Sequence, residues 1–197
     1  MTYRVAGLFE LERAYNAMAK ATAKAEARAV GRVSTTIVNN QSRAVVQRLN
    51  LKVSRVKEAV RIAVKPTAEQ PRVVIEIKRR PVGLIEYGGQ WRGRKSEGAS
   101  AIVLKGSGRS TLGGTFIAAG LKSNRQIFER TGKFKVASQG RYAGERRETL
   151  KAFYGPSVFS QFRREDIIEV GRKTWEERLP VELQREIAFA LKQAGLS

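Results

Sequence analysis

"LKAFYGPSVFSQF", residues 150–162, holds the turning point of the chain. An apolar run carrying two aromatics meets Gly155-Pro156-Ser157 and then resumes with a different spacing. Glycine opens dihedrals closed to other residues, proline removes an amide donor, and a serine hydroxyl caps the first turn of a helix. The stretch therefore predicts a strand ended by Gly155-Pro156 and a helix opened by Ser157.

The charge divides at the same place. The 197-residue chain has 38 Lys and Arg against 18 Asp and Glu, a net +20. From Gly155 to Ser197 seven basic and seven acidic residues cancel, so the whole excess lies in residues 1–154, with 31 bases and 11 acids. Such a body faces an acidic partner, either nucleic acid or an acidic protein surface.

Upstream of the turning point the pattern is that of strands. "TFIAAGL" (115–121), "RQIFERTG" (125–132) and "ETLKAFYG" (148–155) are strands with tight turns, and "KFKVAS" (133–138) is a further one. "VRIAVKP" (60–66) and "RVVIEIKRR" (72–80) alternate across the short linker "TAEQP", which predicts an antiparallel hairpin. A short helical piece, "VSRVKEAV" (53–60), precedes them.

From Leu8 to about Leu49 the spacing is helical: Leu8, Leu11, Tyr15, Met18, Ala21, Ala25 and Ala29 step by three and four. Such a helix is roughly 60 Å long at 1.5 Å per residue, against about 40 Å for a compact domain of this size. Two readings follow. The helix bends at Gly31 over its own core, or it projects and buries its small-residue stripe on a neighbouring molecule.

Downstream, "RREDIIEVGRKTWEER" (163–178) is amphipathic, with Ile167, Ile168, Val170 and Trp175 available to the core. Leu179-Pro180 ends it, and Pro180 suits the first turn of a final helix, "VELQREIAFALKQ". The expectation is one α+β domain: a long N-terminal helix, a central antiparallel sheet with a long basic hairpin or loop, and two C-terminal helices. Its parts are a helical segment 1–58, a basic sheet 59–154 and charge-neutral helices 155–197.

Composition narrows the chemistry. Apolar residues at 42% suit a folded chain, and no run approaches the eighteen or so residues of a membrane helix. The N-terminus has no signal-peptide core, which predicts a cytoplasmic setting. Cysteine and histidine are both absent, which disfavours zinc sites and removes His-dependent triads. "KGSGRSTLGG" (105–114) lacks the Gly-Lys-Ser/Thr ending of a phosphate-binding loop. Glu165-Asp166 and Glu176-Glu177, flanked by arginines, make a solvated face. The expectation is a protein that is not an enzyme and has no cofactor or metal.

Residues 78–114 are the least regular part, with nine glycines and eight bases. Lys78, Arg79, Arg80, Arg92, Arg94, Lys95, Lys105 and Arg109 are candidate contacts to DNA or to an acidic protein, with only Glu86 and Glu97 opposing them. Tyr87 and Trp91 are candidate stacking platforms. With no helix-turn-helix, zinc-finger or RNA-recognition signature, sequence-specific readout is not expected. One functional reading from charge alone is a non-sequence-specific nucleic-acid-binding protein.

Three segments taken in order carry a resemblance. They are "GGTFIAAGLKSNRQIFERTGKF", "GRYAGERRETLKAFYGPSV" and "WEERLPVELQREIAFALKQ". Over residues 113–193 this resembles the minor tail protein Z family of tailed bacteriophages and the wider group of tail-completion proteins. The resemblance implies a structural protein of the virion neck, assembled in the host cytoplasm and forming a sixfold or twelvefold ring of its own copies. It implies neighbours among tail-terminator, tail-tube and head–tail connector proteins, no membrane, and closeness to the end of the packaged double-stranded DNA. Within the matching segments Phe116, Ile117, Gly155, Pro156, Ser157 and Trp175 are candidate structural or assembly positions.

Overall fold

A computed structural model describes residues 8–93, 97–119, 124–140 and 142–193. The chain is mixed α+β, and it forms two compact units. One is drawn from the segments Met1–Ser42, Val60–Ile77 and Arg164–Ser197, the other from Arg43–Ala59 and Lys78–Arg163.

The first unit is built on two long helices. Helix α1 (Leu8–Arg48) is 41 residues of alanine and charged helix-formers, and it runs unbroken through Gly31. At Gly31 an added Cβ would stand 3.4 Å from the Pro66 ring, so this glycine serves close packing within the helix. Ala25, Ala27, Ala29, Val30 and Val33 are buried, whereas residues 12–20 are all exposed. Helix α4 (Glu165–Gln193) buries Ile167, Gly171 and Thr174. Gln41 Nε2 donates to the Ile167 carbonyl at 3.0 Å and Asn40 Nδ2 to Thr174 Oγ1 at 3.2 Å. A Cβ on Gly171 would meet the Gln41 amide at 2.5 Å, which is why the helices approach at a glycine.

Two expectations change on α4. Pro180 lies inside it, so the C-terminal helices divide at residues 163–164 and not at Leu179-Pro180. Contacts to α1 on both sides of Pro180 hold the two halves in one helix: Ile167 and Thr174 on one side, Glu186 on the other. Of the apolar residues assigned to the core, Ile168 (52%) and Trp175 (37%) are exposed, and Ile167 alone is fully buried. The unit also holds the expected antiparallel hairpin, β1 (Val60–Val64) with β2 (Val74–Ile77). Its pairing of Val60 with Ile77 and Ile62 with Ile75 keeps Val73, Ile75 and Ile77 on the less exposed face.

In the second unit the single expected sheet is divided into small antiparallel pieces. After helix α2 (Val53–Lys57) come β3 (Pro81–Gly83), a 3-10 turn (Leu84–Tyr87), and β4 (Gly98–Ala101) paired with β5 (Ser110–Gly113). A three-stranded sheet follows in the order β6 (Thr115–Ala119), β7 (Arg125–Val136), β8 (Arg146–Ala152). The first four residues of "KFKVAS" therefore continue β7 beyond Gly132, whose φ of 70° sits where the register with β8 shifts. Strand β4 ends at Ala101, early in the apolar run "SAIVLK" (100–105). Beyond it the Asn50 amide bonds the Val103 carbonyl at 3.0 Å, and the Lys105 amide bonds the Arg48 carbonyl at 2.8 Å.

The opening stretch is also redrawn. Strand β9 (Tyr154–Ser157) pairs antiparallel with β3, so Gly155 and Pro156 lie inside a strand. β3 and β9 form a sheet of only two strands, so each has an open edge on which a proline costs no ladder bond. Ser157 then opens helix α3 (Val158–Phe162), its Oγ accepting from the Ser160 amide at 3.1 Å.

Candidate interaction surfaces of the basic unit

The centre of this unit is Tyr87, placed at the end of the 3-10 turn and fully buried. Its hydroxyl donates to the Pro156 carbonyl at 2.6 Å, and burial pushes its pKa up to about 12. A side chain at Gly155 would collide with the Tyr87 ring. Tyr87 is thus a core residue and is withdrawn as a stacking platform for bases, because no face of its ring reaches solvent. Gly155 and Pro156 supply the space and the acceptor that bury it.

The other candidates spread over distinct places. Lys78, Arg79 and Arg80 form an exposed basic run before β3, with the Arg79 guanidinium 4.9 Å from the centre of the Phe159 ring. Arg92 and Arg109 line a cleft of about 500 Å³ with Gln90, Glu97, Ser100 and Thr111. Arg109 Nη1 donates to the Gly88 carbonyl at 2.9 Å and the Ser100 carbonyl at 3.2 Å, so this arginine also ties β4 to the turn before it. Trp91 is 39% exposed, and Lys105 is exposed in the turn after β4. Arg94 and Lys95 lie outside the described residues. Among the described residues no group of three or more carboxylates, histidines or cysteines is placed to hold a metal ion.

The three-stranded sheet supplies what the sequence reading missed. In an antiparallel ladder, paired residues share a face and neighbours alternate. Ile117 pairs with Ile127 and both are buried, so this is the inner face. Ile117 is therefore a core position, structural rather than an assembly contact. On the outer face Phe116 pairs with Phe128, their ring centroids 6.3 Å apart. Along the same face Arg130 pairs with Leu150, Phe134 with Glu148 and Val136 with Arg146.

Arg130 lies 5.5 Å from the centre of the Phe116 ring, and Arg146 5.2 Å from that of Phe134. Glu148 accepts from Arg130 at 2.9 Å and from the Gly132 amide at 2.8 Å; the arginine first, then the amide, hold its carboxyl below the usual carboxylate range. The signal for this surface was in the letters, since Phe134 and Val136 alternate with Lys133 and Lys135. Read as a separate short strand, the segment hides that signal, because the alternation continues the outer face of β7.

A protein-family model described as prophage minor tail protein Z (GPZ) matches residues 7–194. Neither the curated proteins nor the solved structures give a match to the chain.

Proposed function

The chain belongs to the prophage minor tail protein Z family, and from that premise we propose that it completes the tail at its head-proximal end. Membership makes it a structural component of a phage tail that works with other tail components. The finer reading is a ring of copies in the neck, sixfold or twelvefold, that makes the finished tail competent to join a filled head. Its neighbours there are tail-terminator, tail-tube and head–tail connector proteins, and its role is mechanical, without catalysis. Assembly takes place in the host cytoplasm.

The family match over nearly the whole chain carries this reading. The charge division supports it: a body holding the whole +20 excess suits the genome end or an acidic ring, and the charge-neutral stretch 155–197 suits packing on protein. Electron microscopy of virions bearing an epitope tag on this chain tests it. Label at the head–tail joint is expected; label elsewhere on the tail, or none, overturns the placement. In lysates lacking the chain, filled heads and finished tails should accumulate unjoined, and added purified chain should join them.

The +20 charge also favours a second reading, non-sequence-specific binding of nucleic acid independent of any particle. Discovery of the chain on host nucleic acid and not in particles would select it.

A further inference from the structure

We infer that the outer face of the β6–β7–β8 sheet is a docking surface for a different protein of the tail, one presenting an apolar patch rimmed by carboxylates. This rests on the family reading above, in which the chain works among other tail components.

A sheet with one face on a core ordinarily turns polar residues outward. Here the inner face carries Ile117 and Ile127 while the outer face is also apolar. Phe116 and Phe128 are half-buried, and Phe134 (54%) and Val136 (66%) are exposed. From Thr131 to Val136 every residue of β7 is exposed, and this distal part pairs with β8 alone. A two-stranded ribbon without a covering layer is marginal in water, so a ribbon of this length points to something laid upon it. Aromatics and arginine together are the composition of an interface centre.

The charges choose the occupant. Arg130 and Arg146 lie over phenylalanine rings, and apart from the N–H that Arg130 gives to Glu148 their guanidinium donors remain for carboxylates. Glu148 is the one acid among these paired positions of the outer face, and it is engaged by Arg130. On the reverse of the ribbon Lys135 stands directly opposite Arg147, a like-charge pair that costs stability until anions approach. Among the described residues the acid in ion-pair range of Arg147 is Glu145, at 3.9 Å, and the Tyr142 ring lies beside it. A second copy of this face would offer no free carboxylate to these arginines, its one acid being engaged already, which argues against self-pairing. A phosphate backbone would satisfy the arginines but leave Phe134 and Val136 in water. An acidic, partly apolar protein surface meets both needs.

The test places a photoreactive benzophenone amino acid at Phe134 in the full-length chain, incorporated during phage growth. Purified tails are irradiated and the adducts identified by mass spectrometry. Expected is an adduct to another tail protein, within a peptide combining apolar residues with Asp or Glu. The same label at Ala68, exposed in the connection between β1 and β2, should give no such adduct. Phe134→Ser with Val136→Ser should reduce retention of the chain on tails at least tenfold, as for loss of hot-spot side chains, and leave its melting temperature unchanged. An adduct to DNA, an adduct to a second copy, or undiminished retention overturns the inference. If the labelled chain sits in tails without an adduct, the docking surface alone falls. If it is absent from purified tails, its placement in the particle falls as well.

Discussion

At Tyr87 one side chain decides how the basic unit closes. In the sequence it stands between Glu86 and two glycines in a basic, irregular segment, where an exposed stacking ring and a buried one read alike. Packing separates them: Gly155 leaves the space and Pro156 takes the hydroxyl. The consequence is measurable in alkali. Burial raises the Tyr87 pKa from 10.0 to about 12, so the folded state holds its proton more tightly than the unfolded state does. Its contribution is therefore full below about pH 10 and is lost as pH rises toward 12, a change on the order of 3 kcal/mol at most. Tyr87→Phe should lose about 1 kcal/mol at pH 7 with the hydrogen bond to Pro156. Denaturant unfolding of both proteins from pH 8 to 12 checks this: the wild-type advantage should shrink above pH 10. An advantage constant across that range would contradict the burial account.

At the scale of elements, α1 and α4 are joined by a buried carboxylate. Glu186 is 3% exposed and meets Arg28 at 3.2 Å and Arg32 at 3.0 Å, with Arg185 farther off at 3.8 Å. The arginines are largely solvated, at 42% and 55% exposure, so the penalty of burial falls mainly on the acid. Arg28→Ala with Arg32→Ala leaves that acid only the more distant Arg185 among these arginines and should destabilise the chain by about 3 kcal/mol. Glu186→Gln leaves two arginines that can turn to water, and should cost less. Thermal or denaturant melts of the two variants decide the order; the reverse order would contradict the role given to the arginines. The same packing explains Pro180. A proline removes one helical hydrogen bond and is a sound local reason to end a helix, but contacts to α1 on both sides outweigh it.

At the scale of the whole molecule the +20 charge has an effect whatever the partner. The purified chain should bind duplex DNA of any sequence at low salt, with the logarithm of affinity falling linearly against the logarithm of salt concentration. Each phosphate contact contributes about −0.9 to that slope, so Lys78→Gln, Arg79→Gln and Arg80→Gln together should flatten it by about 2.7 if all three reach phosphate. An unchanged slope would remove the run before β3 from any nucleic-acid surface.

The features the sequence determined alone are those made by neighbours along the chain. The span of α1, the β1–β2 hairpin, the Ser157 cap and the charge division could all be read, because periodicity, capping and charge are properties of near residues. The tertiary structure alone decided which side of each element is covered. It buried Tyr87 and Ile117, exposed Trp175, carried α4 through Pro180 and left Phe134 and Val136 in water. Those outcomes depend on what packs across from a residue, often a segment far away in the chain. Tyr87 and Pro156 meet only because β3 and β9 pair, and no local pattern at either position records that meeting.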